Sequence, residues 1–236
     1  IEVEGTGIRV SLPGKHEARL TALAQRGRLA FREVVGEPQQ ATGTGAVDAD
    51  EARKLRQSQD LLAAPAKSAQ AITRALAVLS CDGGNDPLAA EEDPALPLVT
   101  CEQKPAEGGV RMAYVLGPEQ LDNSAIQSAR ARQSPTSVGF EIMVNFTSEG
   151  EAQWSDLTGR VAQETQARGT AAQVAFVLDT AVISAPQVTQ RIEGDTVISG
   201  DFTPDEAEAI AGVLTTQPLP LAFEVTDLRV VRSGEG

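Results

Sequence analysis

Between residues 140 and 214 the chain reads as an ordered succession of elements, and that succession limits the folds open to it more than any other feature. Phe140, Ile142, Val144 and Phe146 alternate with Glu141, Met143 and Asn145, which places four apolar side chains on one face of a strand. Ser148-Glu149-Gly150-Glu151 follows as a capping box, in which the serine oxygen takes an orphan amide and the glutamate reaches back. The helix it opens is predicted to bury Trp154, Leu157 and Val161 and to end in a left-handed Gly169. Gln173 to Leu178 is almost continuously apolar, the pattern of a central strand. Asp179-Thr180-Ala181 turns it into Val182-Ile183-Ser184, a hairpin broken at Pro186. A second capping box, Thr203-Pro204-Asp205-Glu206, carries proline at the first helical position, where its missing amide costs nothing. Ala207, Ile210, Ala211 and Leu214 then form an apolar helical stripe, and Pro218 and Pro220 stop it before a last strand over 221–225. Strands and helices mix without strict strand–helix–strand repetition, so the predicted class is α+β.

The N-terminal part is less regular. Ile8 and Val10 alternate with Arg9 and Ser11 until Leu12-Pro13-Gly14 closes the strand; 17–25 predicts a short helix stopped by Gly27, and 29–35 a returning strand. Residues 37–112 hold a glycine-punctuated connector and then an apolar helical stripe over 66–79 (Ala69, Ile72, Leu76, Leu79). Cys81 and Cys101 enclose an acidic stretch with three prolines and no periodicity, which by composition cannot offset its own ordering entropy. A crosslink there would remove about 3 kcal/mol of loop-closure entropy from the unfolded chain. The two cysteines therefore favour a disulfide in an oxidising compartment, the alternative being two unpaired thiols that flank a loop. Asp82, Asp86, Glu91, Glu92 and Asp93 lack the spacing of a calcium loop and read as solvated charge.

Composition narrows the function. The 236 residues carry 33 acidic and 20 basic side chains, net −13, with 3% aromatics. That leaves neither the basic stripe that displaces counterions from a duplex nor the stacking platforms of single-strand binders, so nucleic acid is not an expected partner. The single histidine, His16, follows Gly14-Lys15 in a polar turn and would have to serve any Ser-His or Cys-His mechanism alone. Two cysteines without a CxxC pair leave zinc short of ligands. Gly43-Thr44-Gly45 lacks the lysine of a phosphate loop. No metal, cofactor or enzymatic activity is expected. No apolar run approaches 18 residues and no signal-peptide pattern opens the chain.

Several segments, in order, resemble the large extracytoplasmic domain of the SecD family of protein-export subunits. They are Ile8 to Gly14, Arg28 to Val34, Tyr114 to Gly117, Val144 to Gly150, Ala175 to Asp179 with Ser184-Ala185-Pro186, Ile198 to Thr203, and Leu219-Pro220-Leu221. The resemblance covers roughly 1–36 and 113–232. It implies a ferredoxin-like base near the membrane with an inserted α/β head: base over 1–36, a variable insertion with the cysteine loop over 37–112, head over 113–213, return to the base over 214–232 and a tail over 233–236. The family's opening strand and helix are missing before Ile1, so an incomplete base is expected. The turn expected as Asp-Gly reads Asp179-Thr180-Ala181, which predicts a longer or different turn. The cysteine insertion, with arginine in excess over lysine, resembles the form found in high-GC Gram-positive bacteria.

The resemblance further implies a domain on the outer side of the cell membrane, tethered there by parts outside this chain. Its implied partners are SecF, the SecYEG channel and the exported polypeptide. It would hold that polypeptide and help release or pull it by rocking head against base, driven by proton flow through membrane helices elsewhere. Hinges are expected at Gly117-Pro118 and near Pro218 and Pro220, and polypeptide contact around Trp154, Val182, Ile183 and Val188. An adaptor that binds only other membrane subunits is the alternative.

Overall fold

Strands from three separate stretches of sequence make the central sheet. The computed structural model describes residues 2–4, 7–10, 26–43, 47–81, 86, 88, 92–104, 109–135 and 138–216. In chain order the elements are β1 (Glu2–Glu4), β2 (Gly7–Arg9), β3 (Leu29–Val34), β4 (Gln39–Gln40), α1 (Ala49–Arg56), α2 (Pro65–Val78), β5 (Leu98–Cys101) and β6 (Met112–Asp122). They continue with β7 (Ile126–Gln133), β8 (Phe140–Phe146), α3 (Ser148–Arg168), β9 (Val174–Leu178), β10 (Ala181–Ser184), β11 (Thr196–Phe202) and α4 (Pro204–Leu214), with short 3-10 turns at Gln59–Leu62 and Asn123–Ala125. This is the α+β class that the pattern predicts. The expected helix over 17–25, Pro218, Pro220 and the last strand lie outside the described residues.

β1 and β2 form their own two-stranded ladder. The large antiparallel sheet runs β10-β9-β3-β6, with β5 and β4 both on β6. Its margins meet: Glu102 just after β5 bridges Val182 of β10, Gln103 N–H donates to the Val182 carbonyl at 2.8 Å, and the Thr100 hydroxyl donates to the Thr180 carbonyl. The sheet is thereby curled around a small interior of Ala30, Leu98, Leu116, Ala175, Val177 and Val182, plugged by Ala52 and Leu88. Strand alternation sends Leu29, Phe31, Val174, Phe176 and Leu178 to the outer side. There α3, α4 and a second sheet, β11-β8-β7, complete the largest core. Phe31 is its centre, with ring centroids 5.1 Å from Phe176, 5.6 Å from Trp154 and 5.8 Å from Phe146. A third cluster packs α2, through Ala75 and Leu76, on Val99, Ala113 and Val115.

Several expectations are revised. The N-cap of α3 is Thr147, whose hydroxyl accepts from Gly150 N–H, one residue before the predicted Ser148. The box at Thr203 and Glu206 and the left-handed Gly169 end are as predicted. The β9–β10 connection is a two-residue turn despite lacking glycine, with φ of 47° at Asp179 and 72° at Thr180. Its left-handed backbone is held because the Asp179 carboxylate accepts from Gly27 and Arg28 N–H at 3.1 and 2.9 Å. β3 is the middle strand of the sheet, between β9 and β6. The stretch 37–112 is folded, with α1, α2 and β5, and shares its apolar cluster with Ala113 and Val115 of β6.

Candidate functional site

Two sites emerge, one buried and one on the surface. The buried site is built where the cysteine loop meets the curled sheet. Cys81 and Cys101 are joined, with Cα atoms 5.6 Å apart, and the loop between them is anchored by its acids. Arg32 is fully buried on the inner face of β3, a placement that leaves its charge dependent on partners. Glu92 pairs with it and also with Arg28 at 3.2 Å; Glu119 of β6 pairs with Arg28. Arg32 Nη1 donates to the Leu96 and Gly117 carbonyls at 2.9 and 2.7 Å. A second knot joins Arg56 of α1 to both oxygens of Asp86, each at 2.7 Å, while Arg56 Nε donates to the Val99 carbonyl and Thr180 donates to Asp86.

The charges show their surroundings. Burial lowers the Arg32 guanidinium from its usual range, against the opposing pull of Glu92 and Glu119. Burial raises the Glu119 carboxyl, opposed by Arg28 and Arg32. Burial alone would raise Asp86 too, but hydrogen bonds and charge from Arg56, with help from Leu88 N–H and Thr180, bring it below the usual aspartate value. The sequence expectation of solvated acids thus fails for Asp86 and Glu92. Their arginine partners lie 30 and 60 positions away, and no local spacing announces the pairs.

The residues expected to touch a polypeptide are interior. Trp154, Ile183 and Val188 belong to the large core, and Val182 to the interior of the curled sheet, at 1%, 9%, 2% and 3% exposure. Apolar runs on a strand and a helix face were packing signals here. Gly117 and Pro118, the expected hinge, sit inside β6. They form a bulge between the Leu116–Val34 and Glu119–Arg32 pairings, and the bulge turns the Gly117 carbonyl to Arg32.

The surface site is the outer face of the second sheet. Ile142, Val144, Phe146, Ile198 and Phe202 point inward, so their neighbours point out. Those neighbours are Ser128, Arg130 and Arg132 of β7; Glu141, Met143 and Asn145 of β8; and Val197 and Ser199 of β11. Arg132 Nε donates to Glu141 at 2.6 Å, and Asn145 bridges Ser128 and Asp195. The arrangement offers hydrogen-bonding and half-buried apolar side chains on a pleated surface, a binding chemistry.

The comparisons place this architecture. A family model described as SecDF, P1 head subdomain, matches residues 101–221, and the chain belongs to that family. The more particular resemblance is to protein translocase subunit SecD. The Mycobacterium tuberculosis protein of that name is 31% identical over 191 residues, 79% of this chain and 31% of the relative. The Streptomyces coelicolor protein is 32% identical over 140 residues, 58% of this chain and 24% of the relative. Both organisms fit the high-GC Gram-positive origin suggested by the sequence. The chain thus spans about a third or less of the curated relatives' length. Two solved SecDF structures are similar at a TM-score of 0.49 each: the super-membrane-facing form, 23% identical and covering 88% of this chain and 21% of the other, and a second structure, 25% identical and covering 94% and 79%. No helix among the described residues is long and apolar enough to cross a membrane.

Proposed function

We propose that this chain is the polypeptide-handling part of a SecD-type translocase subunit, working on the outer side of the cell membrane. It holds an exported polypeptide after passage through the SecYEG channel and helps release it or pull it outward. The driving proton flow passes through membrane parts outside this chain, with SecF beside it. The observation that carries this reading is membership of the SecDF P1 head family over residues 101–221. The Cys81–Cys101 disulfide supports an oxidising location. The work is binding and shape change, with no bond made or broken in the substrate. A surface that holds and lets go needs weak, repeated interactions, because a tight grip would block transit.

The net charge of −13 favours a second reading, an adaptor that meets only basic surfaces of other membrane subunits. One experiment separates the two. Photo-crosslinking side chains are placed on the outer face of the second sheet of the full-length protein, and an export intermediate is arrested in the channel. Adducts with the arrested polypeptide are expected; adducts confined to channel subunits would leave the adaptor.

A further inference from the structure

The second sheet has an edge with a chemistry of its own. β7 pairs with β8 on one side, and among the described residues no strand pairs with the other. The register shows which main-chain groups face out. Ser134 N–H donates to the Gly139 carbonyl at 3.0 Å, which makes 134 and 139 a bond-exchanging pair. Alternation then makes 132/141 and 130/143 exchanging pairs, and 133/140, 131/142 and 129/144 non-exchanging ones. Ala129, Ala131 and Gln133 therefore turn their N–H and C=O groups away from β8. The two alanines send small side chains toward the core, where α4 packs against this strand. Arg130 and Arg132 flank the edge on the outer face. Arg132 is paired with Glu141, whereas Arg130 has no hydrogen-bond or ion-pair partner among the described residues. In a chain of net charge −13, this strand carries two arginines and no acid.

We infer that this edge takes the main chain of an extended polypeptide as a fourth strand, with an acidic side chain of the guest meeting Arg130. The inference rests on the polypeptide-holding reading above and gives it a mode. Recognition through backbone groups tolerates many guest sequences, and pockets or charges on alternate positions add preference. A second copy of this chain suits the edge poorly. Pairing β7 with itself would set its arginines against arginines, and like charges placed opposite one another are destabilising.

The test uses the full chain and fluorescent peptides of roughly nine residues, a strand's length with margins. One peptide alternates threonine with glutamate and the other threonine with lysine; anisotropy reads binding. The glutamate peptide is expected to bind, more weakly as salt rises, and the lysine peptide to bind less. Ala131→Pro deletes an outward N–H while sparing every β8 bond, a place where an edge strand accepts proline. It should weaken the glutamate peptide roughly tenfold. Arg130→Glu should reverse the peptide preference. Circular dichroism melting checks that both variants fold. If Ala131→Pro does not fold, Arg130→Glu and a photo-crosslinker at Gln133 carry the test, with a Gln133–peptide adduct expected. Binding unchanged in the variants would overturn the edge assignment and leave the holding reading to the export crosslinks. No binding of either peptide would also overturn it, as would a dimer of the chain that Ala131→Pro disperses.

Discussion

The two halves of the molecule are held together by different physics. Around Phe31 and Trp154, two sheets and two helices interlock through apolar and aromatic side chains. Around Arg32 and Arg56, a crosslinked loop is fastened through buried ion pairs and main-chain bonds to arginine. The first half lies largely within the family match that begins at residue 101; the loop and α1 of the second lie before it. Apolar packing stabilises through area removed from water and tolerates small shifts. A buried arginine tolerates none, because losing its acid leaves an uncompensated charge in a dry interior. The crosslinked loop is thus tied to the sheet by contacts that work only when every partner is present.

The largest expected effect tests this directly. Glu92→Ala should lower unfolding free energy by about 3–5 kcal/mol in urea titrations, because Arg32 is left buried without its acid. Replacing both Arg32 and Glu92 by apolar residues of similar volume should recover most of the loss; no recovery would mean the pair itself, and not the orphaned charge, carries the stability. Next, Cys81→Ser with Cys101→Ser should cost about 3 kcal/mol. Limited proteolysis of this variant should cut first between residues 82 and 97, with residues 138–216 still protected; simultaneous loss of both regions would erase the contrast.

Acid should affect the two halves unequally. The Asp86 carboxyl is held below its unfolded value, so the stability it contributes is full above an unfolded pKa of about 4 and is lost as pH falls through the lower folded value. Glu119 is shifted upward, so its contribution runs the other way, lost as pH rises through its folded value. Asp86→Asn isolates the first: its melting temperature should fall less steeply than that of the parent chain on acidification below about pH 4. Equal slopes would remove Asp86 from the account. The smallest effect belongs to the apolar half, where Thr203→Ala deletes one side of the α4 capping box for about 1 kcal/mol, measured by thermal unfolding.

The same contrast explains what could be read from the sequence. Period-two alternation over 140–146, the helical stripe of α4 and its cap are local patterns, and each became the predicted element. The helix over 66–79 emerged as Pro65–Val78 for the same reason. The acids of the cysteine loop had no local signature, since the groups that explain them are brought near by the fold. Val182 and Ile183 show a second limit: a short apolar run is compatible with a groove or a core, and only the strands around it decide. Pro118, expected at a hinge, cannot donate to a ladder, and a bulge in β6 accommodates it within the strand. The β7 edge was invisible for another reason: outward main-chain groups follow from register, which side-chain pattern alone does not state.

Trp154 is the chain's single tryptophan, and it stands between the two sheets with its indole 1% exposed. The molecule therefore carries its own unlabelled optical gauge. Sliding of one sheet past the other would let water reach the indole and move its emission to longer wavelength. Rapid-mixing records of that colour change, taken while a guest strand is added or removed, would time the domain's internal motion without a single engineered probe.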